Sequence, residues 1–163
     1  MEAKAKLFGH PIHQMLIVFP LGLLATSFFF DLGWLAIHRA GLGVAAYYMI
    51  AAGVIGGLVA AVFGLIDWLG IPSGTRAKAI GLWHGGGNVV VTGLFIVSWF
   101  LRRGAAAPPT TAIVVSAVAV AIALVTGWLG GELVDQLGVG VNDGASLDAP
   151  NSITGNRRNT RAA

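Results

Sequence analysis

The stretch that decides the fold is VAAYYMIAAGVIGGLVAAVFGLIDWL, which runs from Val44 to Leu69. No charged residue interrupts this run before Asp67. A helix that crosses a bilayer needs roughly 20 consecutive, mostly apolar residues, and a run of this length is typical of such a helix. The segment therefore predicts a membrane-spanning helix.

Three further apolar segments accompany this one, and the four predicted spans are about 13–37, 44–69, 80–101 and 111–133. The connections between the spans are short, so neighbouring helices are expected to run antiparallel. The predicted fold class is all-α: an integral membrane four-helix up-down bundle over residues 13–141. Residues 1–12 are expected to form an N-terminal cytoplasmic segment, and the polar residues 142–163 a disordered tail.

The composition supports the same class of protein. Of the 163 residues, 56% are hydrophobic and only 10% are charged, whereas an ordinary soluble domain carries about 25% charged residues. The absence of cysteine excludes disulfides, thiolate metal sites, cysteine-ligated iron–sulfur clusters and covalently attached haem. The formal net charge is +3, but the cationic residues are scattered and form no patch for nucleic acid, so no nucleic-acid partner is expected.

The distribution of cationic residues predicts the orientation, because cytoplasmic loops carry an excess of Lys and Arg. One side of a four-span bundle holds Lys4, Lys6, Arg76, Lys78, Arg157, Arg158 and Arg161. The opposite side holds Arg39, Arg102 and Arg103. Both termini are therefore expected on the cytoplasmic side.

Polar residues gather at one end of the predicted bundle, which by this orientation is the cytoplasmic end. The helix ends on that side carry His10, His13, Asp67, His84, Asn88, Glu132 and Asp135. His10 and His13 are three positions apart, and His84 and Asn88 are four apart, so each pair shares a helix face. Ionisable groups within spans cost roughly 2.5–3.5 kcal/mol each on insertion scales. Several such groups at one end need a shared reason.

Several reasons are compatible with these residue types. Imidazole and carboxylate suit a divalent transition metal such as Zn, Cu, Ni or Fe, and the candidate ligands are His10, His13, Asp67, His84 and Glu132. Two histidines on facing helices could instead hold one b-type haem, with His13, His84 and Asn88 as the cofactor-binding residues. The same cluster could be purely structural, as in a non-catalytic membrane anchor or subunit. A small proton or ion carrier that uses Asp67 and the histidines as relay groups is a further alternative.

The opposite end of the bundle is predicted to be simpler. Asp31, near the outer end of the first span, is expected to cap its helix or to snorkel towards the headgroups. His38, beside Arg39, is expected to be interfacial. For a proton path, the outer half therefore offers only Asp31 as a continuing group.

A short internal similarity links the two halves of the chain. The first and third spans each open with a histidine, and the second and fourth each end in a glycine-containing turn followed by an acid. Two copied hairpins related by an axis along the membrane normal would give this pattern.

The opening of the first span carries a resemblance to a known family. The segment Gly9-His10-Pro11-Ile12-His13-Gln14-Met15-Leu16, followed by Phe19-Pro20-Leu21-Gly22-Leu23, resembles the start of the bacterial membrane family called domain of unknown function 2231. The helix end at Gly64 to Asp67, the segment His84 to Asn88, and the segment Gly130 to Val141 look similar to the same family. Asp135 stands where an aromatic residue would be expected.

The resemblance implies a four-span protein of the bacterial plasma (inner) membrane. Some members of that family are joined to cytochrome c or Rieske domains, which implies electron transfer close to the membrane. The leading hypothesis is therefore a redox or metal- or haem-binding module in the membrane, with a His/Asp cluster at its cytoplasmic face. The expected partners are the lipid bilayer and, beyond it, a redox partner, other membrane subunits or a second copy of the chain.

Overall fold

Four long apolar helices make up most of the structure, a computed structural model that describes residues 1–103, 105 and 107–153. The helices are α1 (Ile12–Leu16), α2 (Val18–Ile37), α3 (Ala40–Leu69), α4 (Arg76–Leu101) and α5 (Thr110–Gly131), which continues as a π-helical turn (Glu132–Gln136). Within the described residues, four helical segments are long and apolar enough to cross a membrane: Ile12–Ile37, Ala40–Leu69, Arg76–Leu101 and Thr110–Gln136. The predicted all-α class with four membrane helices is confirmed.

Local chemistry explains where the helices begin and bend. Pro20 has no N–H to donate to the carbonyl of Leu16, so the first span is divided at Ile17 into α1 and α2. Thr75 begins α4, because its hydroxyl oxygen accepts a hydrogen bond from the backbone N–H of Lys78 at 3.1 Å. Helix α2 ends at His38, which adopts a left-handed conformation with φ of 50°.

The bundle buries small and polar side chains and leaves large apolar ones outside. Helices α2, α3, α4 and α5 each contact the next in chain order, and α5 also contacts α2, which closes the ring. Small residues such as Ala46, Ala112 and Ala119 are fully buried between the helices, and a cluster around Phe95 fills the middle. Leucine, valine and phenylalanine side chains cover much of the outer surface. Small residues at helix contacts with an apolar exterior are typical of a bundle that packs in lipid.

A buried ion pair connects α2 to the end of α4, at the end of the bundle that holds Ile37 and Ala40 and is called the outer end below. Nη1 and Nη2 of Arg102 donate to the two carboxylate oxygens of Asp31 at 2.5 and 2.6 Å, and the two side chains are only 2% and 0% exposed. Arg102 also donates to the hydroxyl oxygens of Ser98 and Ser116, each at 3.2 Å. The expectation that Asp31 caps its helix or snorkels is therefore wrong, because a second span supplies a buried partner for the carboxylate.

The N-terminal segment folds back over the opposite end of the bundle, which holds Ile12 and Leu69 and is called the inner end below. Strands β1 (Lys6–Leu7) and β2 (His10–Pro11) form an antiparallel hairpin with Leu7 opposite His10. The two turn residues between them, Phe8 and Gly9, both have positive φ, as a tight two-residue hairpin turn requires. Each strand has only two residues, which is too short for an alternation of apolar and polar residues to be recognised in the sequence.

The described part of the C-terminal segment lies against this hairpin. Nζ of Lys6 donates to Oδ1 of Asn142 at 2.7 Å, and Oγ of Ser152 lies 3.2 Å from Nε2 of His10. The remainder of the predicted disordered tail, residues 154–163, lies outside the described residues.

Candidate functional site

His13 is held in the first turn of the bundle by the backbone of a neighbouring helix. Its Nδ1 lies 2.8 Å from the carbonyl oxygen of Ala60 on α3. One turn further along α3, a Cβ at Gly64 would lie only 2.8 Å from Cε1 of the same imidazole. The absence of a side chain at Gly64 is therefore what lets the imidazole lie against α3.

His84 on α4 has the same surroundings on α5. Its Nδ1 lies 2.8 Å from the carbonyl oxygen of Thr126. A Cβ at Gly130, four positions beyond Thr126, would lie 2.9 Å from Cε1 of His84. The first two spans form one helical hairpin, and the last two form a second. In each helical hairpin, a histidine of the first span lies against a carbonyl group and a glycine of the other span.

The two imidazoles meet between the hairpins. Their ring centroids are 6.4 Å apart and their planes are nearly perpendicular, at 89°. A backbone carbonyl only accepts hydrogen bonds, so Nδ1 of each neutral ring carries the proton and Nε2 carries the lone pair. Within the described part of the chain, Nε2 of His13 has no hydrogen-bond partner. A histidine that binds a metal usually has this arrangement, in which Nδ1 donates to a carbonyl oxygen and the lone pair of Nε2 is left for the metal.

Asn88 joins His84 to α5, on the helix face where the sequence placed it. Its Nδ2 donates to the carbonyl oxygen of His84 at 2.9 Å and lies 3.3 Å from Nε2 of the same residue. Its Oδ1 accepts a hydrogen bond from the hydroxyl of Thr126 at 3.0 Å. Asn88 therefore supports the position of His84, and a ligand on Nε2 of His84 would replace the weak contact from the amide.

Asp67, predicted as a metal ligand, binds the N-terminal segment. Its Oδ1 accepts hydrogen bonds from the backbone N–H groups of Lys4 and Ala5 at 2.6 and 3.0 Å. In the same N-terminal segment, outside the bundle, Lys6 donates a hydrogen bond to the Glu2 carboxyl and forms an ion pair with it. Both interactions lower the pKa of the Glu2 carboxyl below its ordinary value. The carboxylate of Asp67 is thus a clamp for residues that cross the inner end of the bundle.

The two remaining candidates lie apart from the imidazole pair. His10 is exposed in the N-terminal hairpin beside Ser152. Glu132 forms an ion pair with Arg76 at 2.5 Å. Over residues 1–103, 105 and 107–153, no group of three His, Cys, Asp or Glu side chains is placed to hold a metal ion. The structure therefore brings together His13, His84 and Asn88, with Asp67 and Glu132 engaged by other partners.

Four residues of the site were not among the site residues predicted from the sequence. They are Ala60 and Thr126, which supply the carbonyl groups, and Gly64 and Gly130, which supply the space. Carbonyl contacts leave no trace in residue type. The available signal was spacing, because each glycine follows its carbonyl by four positions, which is one helical turn.

Comparison with known proteins gives a family and no further relative. Neither the curated proteins nor the solved structures contain a significant match to this chain. The model of a family described as predicted membrane proteins, domain of unknown function 2231, matches residues 9–143. That range runs from the turn of the N-terminal hairpin to just beyond the π-helical turn, and it includes both histidines of the pair. The chain therefore belongs to the DUF2231 family of predicted membrane proteins.

Proposed function

We propose that the chain is a membrane module that binds one b-type haem through Nε2 of His13 and Nε2 of His84. The observation that supports this is the meeting of two imidazoles, each fixed through Nδ1 by a carbonyl of the neighbouring helix. Such a contact orients the ring and makes Nε2 a better ligand.

The number of protein ligands favours haem over a metal ion bound directly by side chains. A structural zinc site takes four protein ligands and a catalytic one takes three, and the described residues offer no such group. Haem iron needs only two axial ligands from the protein, and histidine is a common one. The donor set of this chain, two neutral imidazoles, fits that requirement.

The separation of the rings also fits. Metal–nitrogen bonds to imidazole are about 2.0–2.1 Å long, so two rings that held one metal ion between them would have to lie close together. The centroids of His13 and His84 are 6.4 Å apart. Bound haem would supply one-electron chemistry, while Ala60, Thr126 and Asn88 would keep the two imidazoles oriented.

The orientation we propose places both termini on the cytoplasmic side of the bacterial inner membrane. The outer side carries Arg39, Arg102 and Arg103, and each counts in full because the rule concerns Lys and Arg and not the net charge. The inner side has Lys4, Lys6, Arg76 and Lys78, and this excess favours the cytoplasmic side. A redox partner or a further membrane subunit would then meet the haem at the cytoplasmic end.

The test is an oxidised-minus-reduced visible spectrum of the detergent-purified protein after addition of haemin. We expect a haem band in the wild type and in the controls His10→Ala and His38→Ala, whose histidines lie outside the pair. In His13→Ala and His84→Ala the haem content should fall at least about tenfold, since each variant removes an axial ligand. Equal spectra in all five proteins would reject the pair as the ligand set.

A non-catalytic membrane anchor or subunit is the second candidate. It is favoured by the contacts of Asp67 and Glu132, both of which bind other parts of the same chain. A colourless protein that takes up neither haem nor stoichiometric metal would support this candidate. A proton or ion carrier is weaker, because Asp31, the group that would continue its path, is bound by Arg102.

A further inference from the structure

The equivalence of the two hairpins extends well beyond the histidines. His13 and His84 are 71 residues apart, and so are Asp31 and Arg102. Ala60 and Thr126, whose carbonyl oxygens accept from the two histidines, are 66 residues apart, as are the two glycines that follow them. Each separation is constant along a helix, as it would be if the second hairpin repeated the first.

Most of the buried residues follow the same two separations. Between α2 and α4, with the residue that ends α4, the buried pairs are Leu24 with Phe95, Ser27 with Ser98, and Asp31 with Arg102. Between α3 and α5 they are Ala46 with Ala112, Ile50 with Ser116, Gly53 with Ala119, and Ala60 with Thr126. All of the buried positions of α2 have a buried equivalent. The two hairpins therefore use the same face to pack against each other.

We propose that the chain consists of two copies of one helical hairpin. The Asp31–Arg102 ion pair makes the first hairpin pack against the second, and not against an identical first hairpin. Equivalent positions that touch each other must lie close to the axis that relates the copies. Asp31 and Arg102 are equivalent and in contact. In a pairing of like with like, an Asp would face an Asp, or an Arg an Arg, at this buried position.

Burial makes that discrimination strong. Both side chains are almost completely buried inside the protein. A buried charge without its partner destabilises a protein far more than an unpaired charge at the surface. The pairing of complementary charges is the best-attested way in which a buried ionic contact specifies partners. The inner end cannot discriminate, because two identical histidines meet there.

Exchange of the two charges gives a direct test, since equivalent positions should tolerate it. In the full-length double variant Asp31→Arg/Arg102→Asp, an arginine at 31 would have Ser27 in the place that Ser98 holds for Arg102. The equivalent of Ser116 is Ile50, so one hydrogen bond would be missing. Adding Ile50→Ser and Ser116→Ile completes the exchange.

The measurement is the amount of protein that elutes at the wild-type size in detergent. Asp31→Arg and Arg102→Asp should each reduce it about tenfold, because each leaves like charges buried together. The double variant should recover most of the loss, and the fourfold variant more. The control Arg39→Asp reverses an exposed charge at the same end and should elute like the wild type. A fourfold variant no better than the single reversals would overturn the equivalence of the two positions.

A neutral variant separates pairing choice from folding. Asp31→Leu/Arg102→Met replaces the ion pair by apolar side chains. Proteins often keep their stability when a buried ion pair is replaced in this way. We expect this variant to keep its helical circular dichroism, with a share of the protein displaced to larger species relative to the wild type. A helical variant with the wild-type elution profile would overturn the role in pairing. Neither result depends on whether haem binds His13 and His84.

Discussion

The inner and outer ends of the bundle bring together equivalent positions of the two hairpins, but with opposite results. At the inner end two histidines meet, each with Nδ1 bound to a carbonyl oxygen and, for His13, with no partner for Nε2 among residues 1–103, 105 and 107–153. At the outer end Arg102 donates to both carboxylate oxygens of Asp31, and also to the hydroxyl oxygens of Ser98 and Ser116. In a membrane bundle, a polar side chain whose polar atoms are bound by other side chains stabilises the fold. A side chain that keeps a free lone pair, such as Nε2 of His13, is available to bind a ligand.

The largest effect is expected from breaking the outer end. Arg102→Ala leaves the Asp31 carboxylate buried without a partner, which should lower the free energy of unfolding by about 3–5 kcal/mol. Thermal unfolding in detergent, followed by circular dichroism, measures this loss. Arg103→Ala, at the neighbouring exposed position, is the matched control and should differ little from the wild type. A similar loss in the two variants would mean that the ion pair has no special role.

The inner end is expected to be sensitive to volume. In Gly130→Ala the new methyl group would overlap the imidazole of His84, and such overpacking costs about 1–3 kcal/mol. Gly127→Ala on the same helix meets no atom within 4 Å and should be slightly stabilising, because alanine favours helix over glycine.

The same pair of variants sharpens the proposed function. Gly130→Ala should also lower haem binding, because the displaced imidazole no longer presents Nε2 in the same place, while Gly127→Ala should bind as the wild type does. Equal binding by the two proteins would separate the glycine contact from the ligand site.

A smaller effect is expected from the hydroxyl group that supports Asn88. Thr126→Val removes the hydrogen bond to Oδ1 of Asn88 but leaves the carbonyl that binds His84, so the loss should be about 1 kcal/mol. Thr92→Val removes a hydroxyl that contacts only the backbone of α4 and should cost less. Denaturant unfolding of both variants, compared at one detergent concentration, decides whether Asn88 depends on α5.

The smallest global effect is expected at Asp67. Asp67→Ala removes the acceptor for the N–H groups of Lys4 and Ala5, so amide hydrogen exchange at those two residues should speed up while the four helices stay protected. Asp143→Ala, an exposed acid in the C-terminal segment, is the control. Unchanged exchange at Lys4 and Ala5 would show that other contacts hold the N-terminal segment.

Much of the fold was predictable because lipid imposes a simple rule. A span must satisfy its backbone internally and present apolar side chains outside, and both demands are visible in a run such as Val44 to Leu69. The gathering of His13, His84 and Asn88 was also predictable, since their depth in the bilayer follows from their place in each span. The engagement of Asp67 by Lys4 and Ala5 was not, because it depends on how the N-terminal segment folds back.

By itself, the sequence determined the class of protein, the number of membrane helices and the place of each polar group along its span. Only the tertiary structure decided which polar groups meet. Asp31 and Arg102 are 71 residues apart, and no local pattern links an acid in the second half of one span to an arginine at the end of another. The same holds for the carbonyl groups of Ala60 and Thr126. Their partners are set by the rotation of each helix about its own axis, which the packing of small residues between helices fixes.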